Sequence, residues 1–165
     1  MRSLFLILAL SLVSAACGFH LRGNAPLPAW LERVQVTGDP RFRDVMDELR
    51  HALQRAGAAV VEQPASADAI IVIEGEQRQR RILSVDSNGR PREYELSYRL
   101  SYRVRDADGE TRIPPRTLVR SREYTFDEAE VLGKSTEREQ LWRELRRSAV
   151  EAMVDQLRYS SLKSR

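Results

Sequence analysis

The sequence predicts an α+β domain: two amphipathic helices packed on one face of a roughly four-stranded, mostly antiparallel sheet. Three observations carry this. Residues 42–56 and 141–157 repeat apolar side chains at intervals of three and four, as a helix with one buried face does. Residues 93–105 alternate between polar and apolar side chains, the period of a strand with one face in a core. Asn88-Gly89 and Asp108-Gly109 bracket that strand with dipeptides suited to tight hairpins. Helices on one side of a sheet and a charged sheet face on the other make a two-layer domain.

The elements follow in order. Val34 to Val36 is a short first strand. Asp39-Pro40 opens a helix, the Asp as N-cap and the Pro at the first position, where its missing N–H is not needed. Phe42, Val45, Met46, Leu49, Ala52, Leu53 and Ala56 form the inward stripe, and Gly57 ends it. Ala69 to Val85 is a strand region, β-branched at Ile70-Ile71-Val72-Ile73, with Gln77 to Arg81 breaking the apolar pattern as a bulge or an exposed strand end would. Tyr94, Leu96, Tyr98, Leu100, Tyr102 and Val104 give the next strand its apolar face. Thr117 to Phe126 is a further strand, and Pro114-Pro115 keeps the start of that segment out of regular pairing. A second helix begins near Thr136, where Thr136-x-x-Glu139 has the form of a capping box, and buries Leu141, Trp142, Leu145, Ala149, Ala152, Met153 and Leu157.

Ahead of this domain, Arg2, the apolar run Leu4 to Val13 and the small residues Ser14, Ala15 and Ala16 form a secretory signal. The apolar run is too short to span a bilayer, which takes about 20 residues of helix. Cys17, the single cysteine, then stands first in the mature chain, the acceptor position of a bacterial lipid anchor. Ser14 and Ala16 would also suit an ordinary signal peptidase, which would release a soluble protein with a free thiol. A lone thiol fits an oxidising compartment poorly, so lipidation is the favoured reading, and intact mass distinguishes the two. The organisation is therefore signal peptide 1–16, lipidated tether 17–28 and α+β domain 29–165, large enough for a core of its own.

The net charge is +3, and the basic side chains are nearly all arginine, with only Lys134 and Lys163 as lysines. Arginine pairs with phosphate or carboxylate through a planar fork of donors. Export removes nucleic acid as the target. Catalysis finds no support: His20 lies in the tether and His51 on the polar side of the first helix, one turn from Asp47 and Arg55, where a surface ion-pair role is expected. No metal-ligand spacing, nucleophile elbow or phosphate loop is present, so neither a catalytic residue, a metal nor a cofactor is expected. Asp86 reads as a turn residue. The functional signal that remains is basic: Arg78, Arg80, Arg81, Arg90 and Arg92 around the Asn88-Gly89 turn, with Lys134 in the loop before the last helix. Arg99, Arg103 and Arg105 on the polar sheet face could pair with an acidic partner surface.

Cys17-Gly18-Phe19-His20-Leu21-Arg22 resembles the opening of the mature LptE lipoproteins of Gram-negative outer membranes, which serve lipopolysaccharide assembly. The similarity continues through Asn88-Gly89 with Glu93-Tyr94, Val119-Arg120-Ser121, Phe126-Asp127 and Lys134. The resemblance implies a two-helix, roughly four-stranded domain seated in the LptD β-barrel in a one-to-one complex. There it plugs the barrel and assists its assembly while lipopolysaccharide passes to the outer leaflet. It also implies lipopolysaccharide binding through basic residues. One such position matches Lys134; at the other, in the hairpin, this chain has Ser87, with Arg90 and Arg92 just beyond the turn. Gly18 behind the anchor agrees with outer-membrane sorting. A lipoprotein adaptor for barrel insertion or cell-wall synthesis is the alternative, and a periplasmic enzyme with an unrecognised site a third.

Overall fold

The computed structural model describes residues 26–125 and 131–160, with only the backbone course given for 131–136. Two α-helices lie against a five-stranded mixed sheet. The strands are β1 (Arg33–Gly38), β2 (Ala59–Val60), β3 (Ala69–Val85), β4 (Pro91–Asp106) and β5 (Thr111–Thr125); the helices are α1 (Arg43–Arg55) and α2 (Val131–Tyr159). The sheet order is β2-β1-β3-β4-β5. β1 pairs in parallel with both β2 and β3, while β3, β4 and β5 form an antiparallel meander. The sequence-based expectation of about four strands lacked only the two-residue β2.

The first helix starts as expected. Asp39 accepts a hydrogen bond from the Arg41 backbone N–H at 2.9 Å, and a 3-10 turn over Pro40–Phe42 leads into α1. Val45, Met46, Leu49, Ala52 and Leu53 are buried, and Gly57 leaves the helix at a φ of +98°, a conformation glycine adopts without a Cβ clash. α1 returns the chain so that β1 and β3 run parallel. Gly38, at the end of β1, lies so close to β3 that a Cβ there would sit 2.8 Å from the Ile73 carbonyl oxygen.

The core lies between the helices and one face of the sheet. Tyr94, Leu96, Tyr98, Leu100, Tyr102 and Val104 of β4 are all buried, as the alternation requires, and face Leu141, Trp142, Leu145, Ala149, Val150, Met153, Val154 and Leu157 of α2. α1 and α2 run side by side in the same direction. Arg146 of α2 bonds Asp44 and Glu48 near the start of α1, and Ala52 and Ala56 line a shared hollow with Val154 and Arg158 farther along.

Two expectations are corrected, and one of two open readings is decided. α2 begins at Val131, so the backbone at Thr136 is already helical and cannot be an N-cap. β5 begins at Thr111, ahead of the prolines. Tyr102 pairs with Arg116 and Val104 with Ile113, so Pro114-Pro115 fall in a bulge, where their missing N–H groups break no ladder. The bulges of β3 are at Glu74 and near Leu83, where the register with β4 shifts, and Gln77 to Arg81 pair regularly as an exposed stretch. Phe126 and Cys17 lie outside the described residues, as do the signal and most of the tether.

Candidate functional site

The far end of the β3–β4 hairpin is built on one carboxylate. Asp86 accepts from the backbone N–H of Asn88 (2.8 Å) and of Arg90 (2.9 Å), and its own carbonyl accepts from Gly89, whose φ of +76° closes the turn. Hydrogen bonds from the Arg90 and Asn88 backbone hold its pKa below the ordinary carboxylate value. Asp86 is thus the turn residue its sequence position suggests, and Ser87 and Asn88 form the exposed tip.

The bulge at Glu74 decides where the arginines point. Before it, Ile71 and Ile73 face the helices, opposite Val104 and Tyr102. The extra residue reverses the alternation, so Glu76, Arg78, Arg80 and Ile82 come opposite Leu100, Tyr98, Leu96 and Tyr94 on the helix side. Arg78 lies over the Trp142 ring at 5.9 Å, with Glu76 at 3.6 Å and Glu139 at 3.8 Å. Arg80 lies 4.7 Å over Tyr94, which in turn stacks on Tyr124 with ring centroids 5.5 Å apart. Arg81, on the other face, pairs with Glu95 at 3.0 Å. Arg78 thus ties the hairpin to α2, Arg80 packs on an aromatic ring and Arg81 pairs across the hairpin.

Arg90 and Arg92 are exposed beyond the turn. Lys134 is not in a loop, as the sequence suggested, but in the first turn of α2. α2 starts at the hairpin end of the molecule: Glu139 meets Arg78 of β3, and Glu144 bonds Arg122 of β5 at 2.6 Å. Lys134 precedes Glu139 by five residues, or roughly 7.5 Å of helix axis toward that end. The start of α2 thus points toward the hairpin end of the molecule. There the exposed aliphatics Ile82 (51%), Leu83 (39%) and Val85 (55%) cap β3. Sequence reasoning passed over these three as strand residues. It missed the Glu76, Glu139 and Trp142 contacts as well, because the reversal at Glu74 is set by strand pairing.

The other expected positions resolve differently. His51 is exposed and makes no ion pair among the described residues; Asp47 bonds Arg50. On the polar sheet face Arg103 pairs with Glu74 at 3.2 Å, Arg105 is half-buried with an unbonded Nε, and Arg99 is exposed. Under the sheet, Tyr98 donates to Glu76 at 2.9 Å and Tyr102 to Gln156 at 3.1 Å; burial, then the nearby Glu76 carboxylate, raises the Tyr98 pKa well above its ordinary value. Among the described residues no group of His, Cys, Asp and Glu is placed to hold a metal ion, and no helix is long and apolar enough to cross a membrane. The hairpin end offers guanidinium groups and aliphatic side chains, which can bind an anion or an amphiphile.

The family model LptE, lipopolysaccharide-assembly, matches residues 31–157. The LPS-assembly lipoprotein LptE of Photorhabdus laumondii is 29% identical over 94% of this chain and 85% of its own length. That of Yersinia enterocolitica is 28% identical over 94% and 75%. Among solved structures, lipoprotein B of Nitrosomonas europaea superposes with a TM-score of 0.75 at 32% identity, covering 88% of this chain and 94% of that one. Family match, relatives along nearly the whole length and a shared fold agree: the chain belongs to the LptE family of lipopolysaccharide-assembly proteins.

Proposed function

We propose that this chain is an outer-membrane lipoprotein, anchored through Cys17, that seats in the lumen of an LptD β-barrel in a one-to-one complex. It braces and plugs the barrel during lipopolysaccharide transport, and binds lipopolysaccharide through Lys134, Arg90 and Arg92. It works without catalysis, a cofactor or nucleic acid. The observation that carries this reading is the family match spanning residues 31–157, nearly all of the folded domain.

Two structural features support it. The outer face of the sheet is polar, with Gln79, Glu95, Ser97, Arg99, Ser101 and Thr117 on it, which suits the polar, water-lined interior of a large barrel. Lys134, at the start of α2, lies toward the hairpin end that carries Arg90 and Arg92. The test is detergent extraction of the full-length lipoprotein from cells, with intact mass on the isolated chain. The reading requires a diacylglyceryl cysteine and a stoichiometric complex with one large barrel. Recovery with a barrel-insertion or cell-wall machine instead would assign the adaptor role.

A further inference from the structure

Five large apolar side chains are substantially exposed among the described residues: Ile82, Leu83, Val85, Val119 and Tyr159. Isolated exposed apolar residues are ordinary on protein surfaces. Three of these five fall within four residues at one hairpin end. Register shifts between Ile82 and Ser84 and between Ser84 and Val85 break the strict alternation there, so this end of β3 does not present one face to a core and the other to water.

We propose that Ile82, Leu83 and Val85 form an acyl-chain contact, the apolar half of an amphiphile site whose charged half is Arg90 and Arg92. This rests on the lipopolysaccharide-binding reading and assigns the lipid part of that ligand to residues of its own. The charge pattern favours it. Arg78 and Arg81 are paired with Glu76, Glu139 and Glu95, whereas Arg90 and Arg92 are exposed beyond the turn, a few residues from the aliphatic strip. An aliphatic strip beside guanidinium groups complements a molecule that carries phosphate next to hydrocarbon. The strip has no aromatic side chain, whereas protein-binding hot spots are rich in Trp and Tyr. That composition favours acyl chains over a protein surface.

The test uses the full lipidated chain in zwitterionic nanodiscs, with binding of intact lipopolysaccharide and of its fully deacylated, still phosphorylated form measured side by side. The unaltered protein should bind the intact form at least tenfold tighter. Ile82→Ser with Leu83→Ser and Val85→Ser should lower intact binding to the deacylated level and leave deacylated binding unchanged. Val119→Ser, an exposed aliphatic elsewhere, should keep the full preference, and circular dichroism should be the same for all. A triple variant that keeps the preference, or an unaltered protein that binds both forms equally, overturns the acyl contact while leaving headgroup binding in place. Failure of the unaltered protein to bind either form overturns the underlying reading with it.

Discussion

Tyr98 shows how a single residue ties the site to the core. Its ring is fully buried between sheet and helix, and its hydroxyl donates to Glu76, itself beside Arg78. Glu76 reaches this side only because the Glu74 bulge turned it inward. Tyr98→Phe would therefore leave a largely buried carboxylate with one partner fewer, a loss of about 1–3 kcal/mol by chemical denaturation. A change under about 0.5 kcal/mol would mean that water replaces the hydroxyl. Asp86 offers a second test at this scale. Its pKa is depressed in the folded state, so its contribution to the turn is present above the unfolded value near 3.9 and is lost as pH falls through the folded value. The backbone amide resonances of Asn88 and Arg90 should titrate together below about pH 4. Asp86→Asn should abolish that step while keeping the turn.

The elements were read from the sequence with uneven success, for physical reasons. β3 runs from Ala69 to Val85 as anticipated, because β-branched residues and flanking turns mark both ends locally. The β4 alternation is equally plain, since each inward residue must be apolar to be buried. The reversal at Glu74 was not legible: only pairing with β4 shows that Arg78 and Arg80 share a face with Tyr98. Nor was the start of α2, because Thr136-x-x-Glu139 signals a cap only where the backbone leaves the helix. β2 is too short to carry a period. Of the candidate site, the hairpin turn and its arginines were visible, but the assignment of three of those arginines to internal contacts was not. The α1–α2 pairing was invisible for the same reason, as it joins residues about a hundred positions apart. Arg146, 11% exposed, bonds Asp44 and Glu48 at 3.0 Å each; burial opposes its charge, but the two carboxylates overcome this and raise its pKa. Arg146→Ala would leave Glu48, which is 21% exposed, with only its longer 3.4 Å contact to Arg147, and should destabilise the domain by about 1–3 kcal/mol. Arg146→Met, which keeps the packing volume, should lose less. Equal losses would assign the effect to the lost ion pairs alone, since Met keeps the packing.

At the scale of the whole molecule, the proposed headgroup contacts lie away from the most deeply buried part of the core. Leu31, Leu49, Leu53, Tyr102, Met153 and Leu157 consolidate one end, while the other carries the hairpin tip and the start of α2. This separation makes the proposed headgroup contacts open to a clean test. Arg90 holds the turn through its backbone N–H, so Arg90→Glu keeps that hydrogen bond. Lys134 lies in the first turn of α2, where an acidic residue interacts favourably with the helix dipole, so Lys134→Glu should not weaken the helix. The double variant is expected to keep the unaltered thermal midpoint and circular dichroism spectrum and to bind lipopolysaccharide at least tenfold more weakly, with most of the effect lost in high salt. Undiminished binding by a folded double variant would remove both residues from the site. Barrel association should persist in the same variant, since the polar sheet face and both helices are untouched. Loss of the complex alongside lipid binding would mean that this end contacts the barrel wall, and would join the two roles.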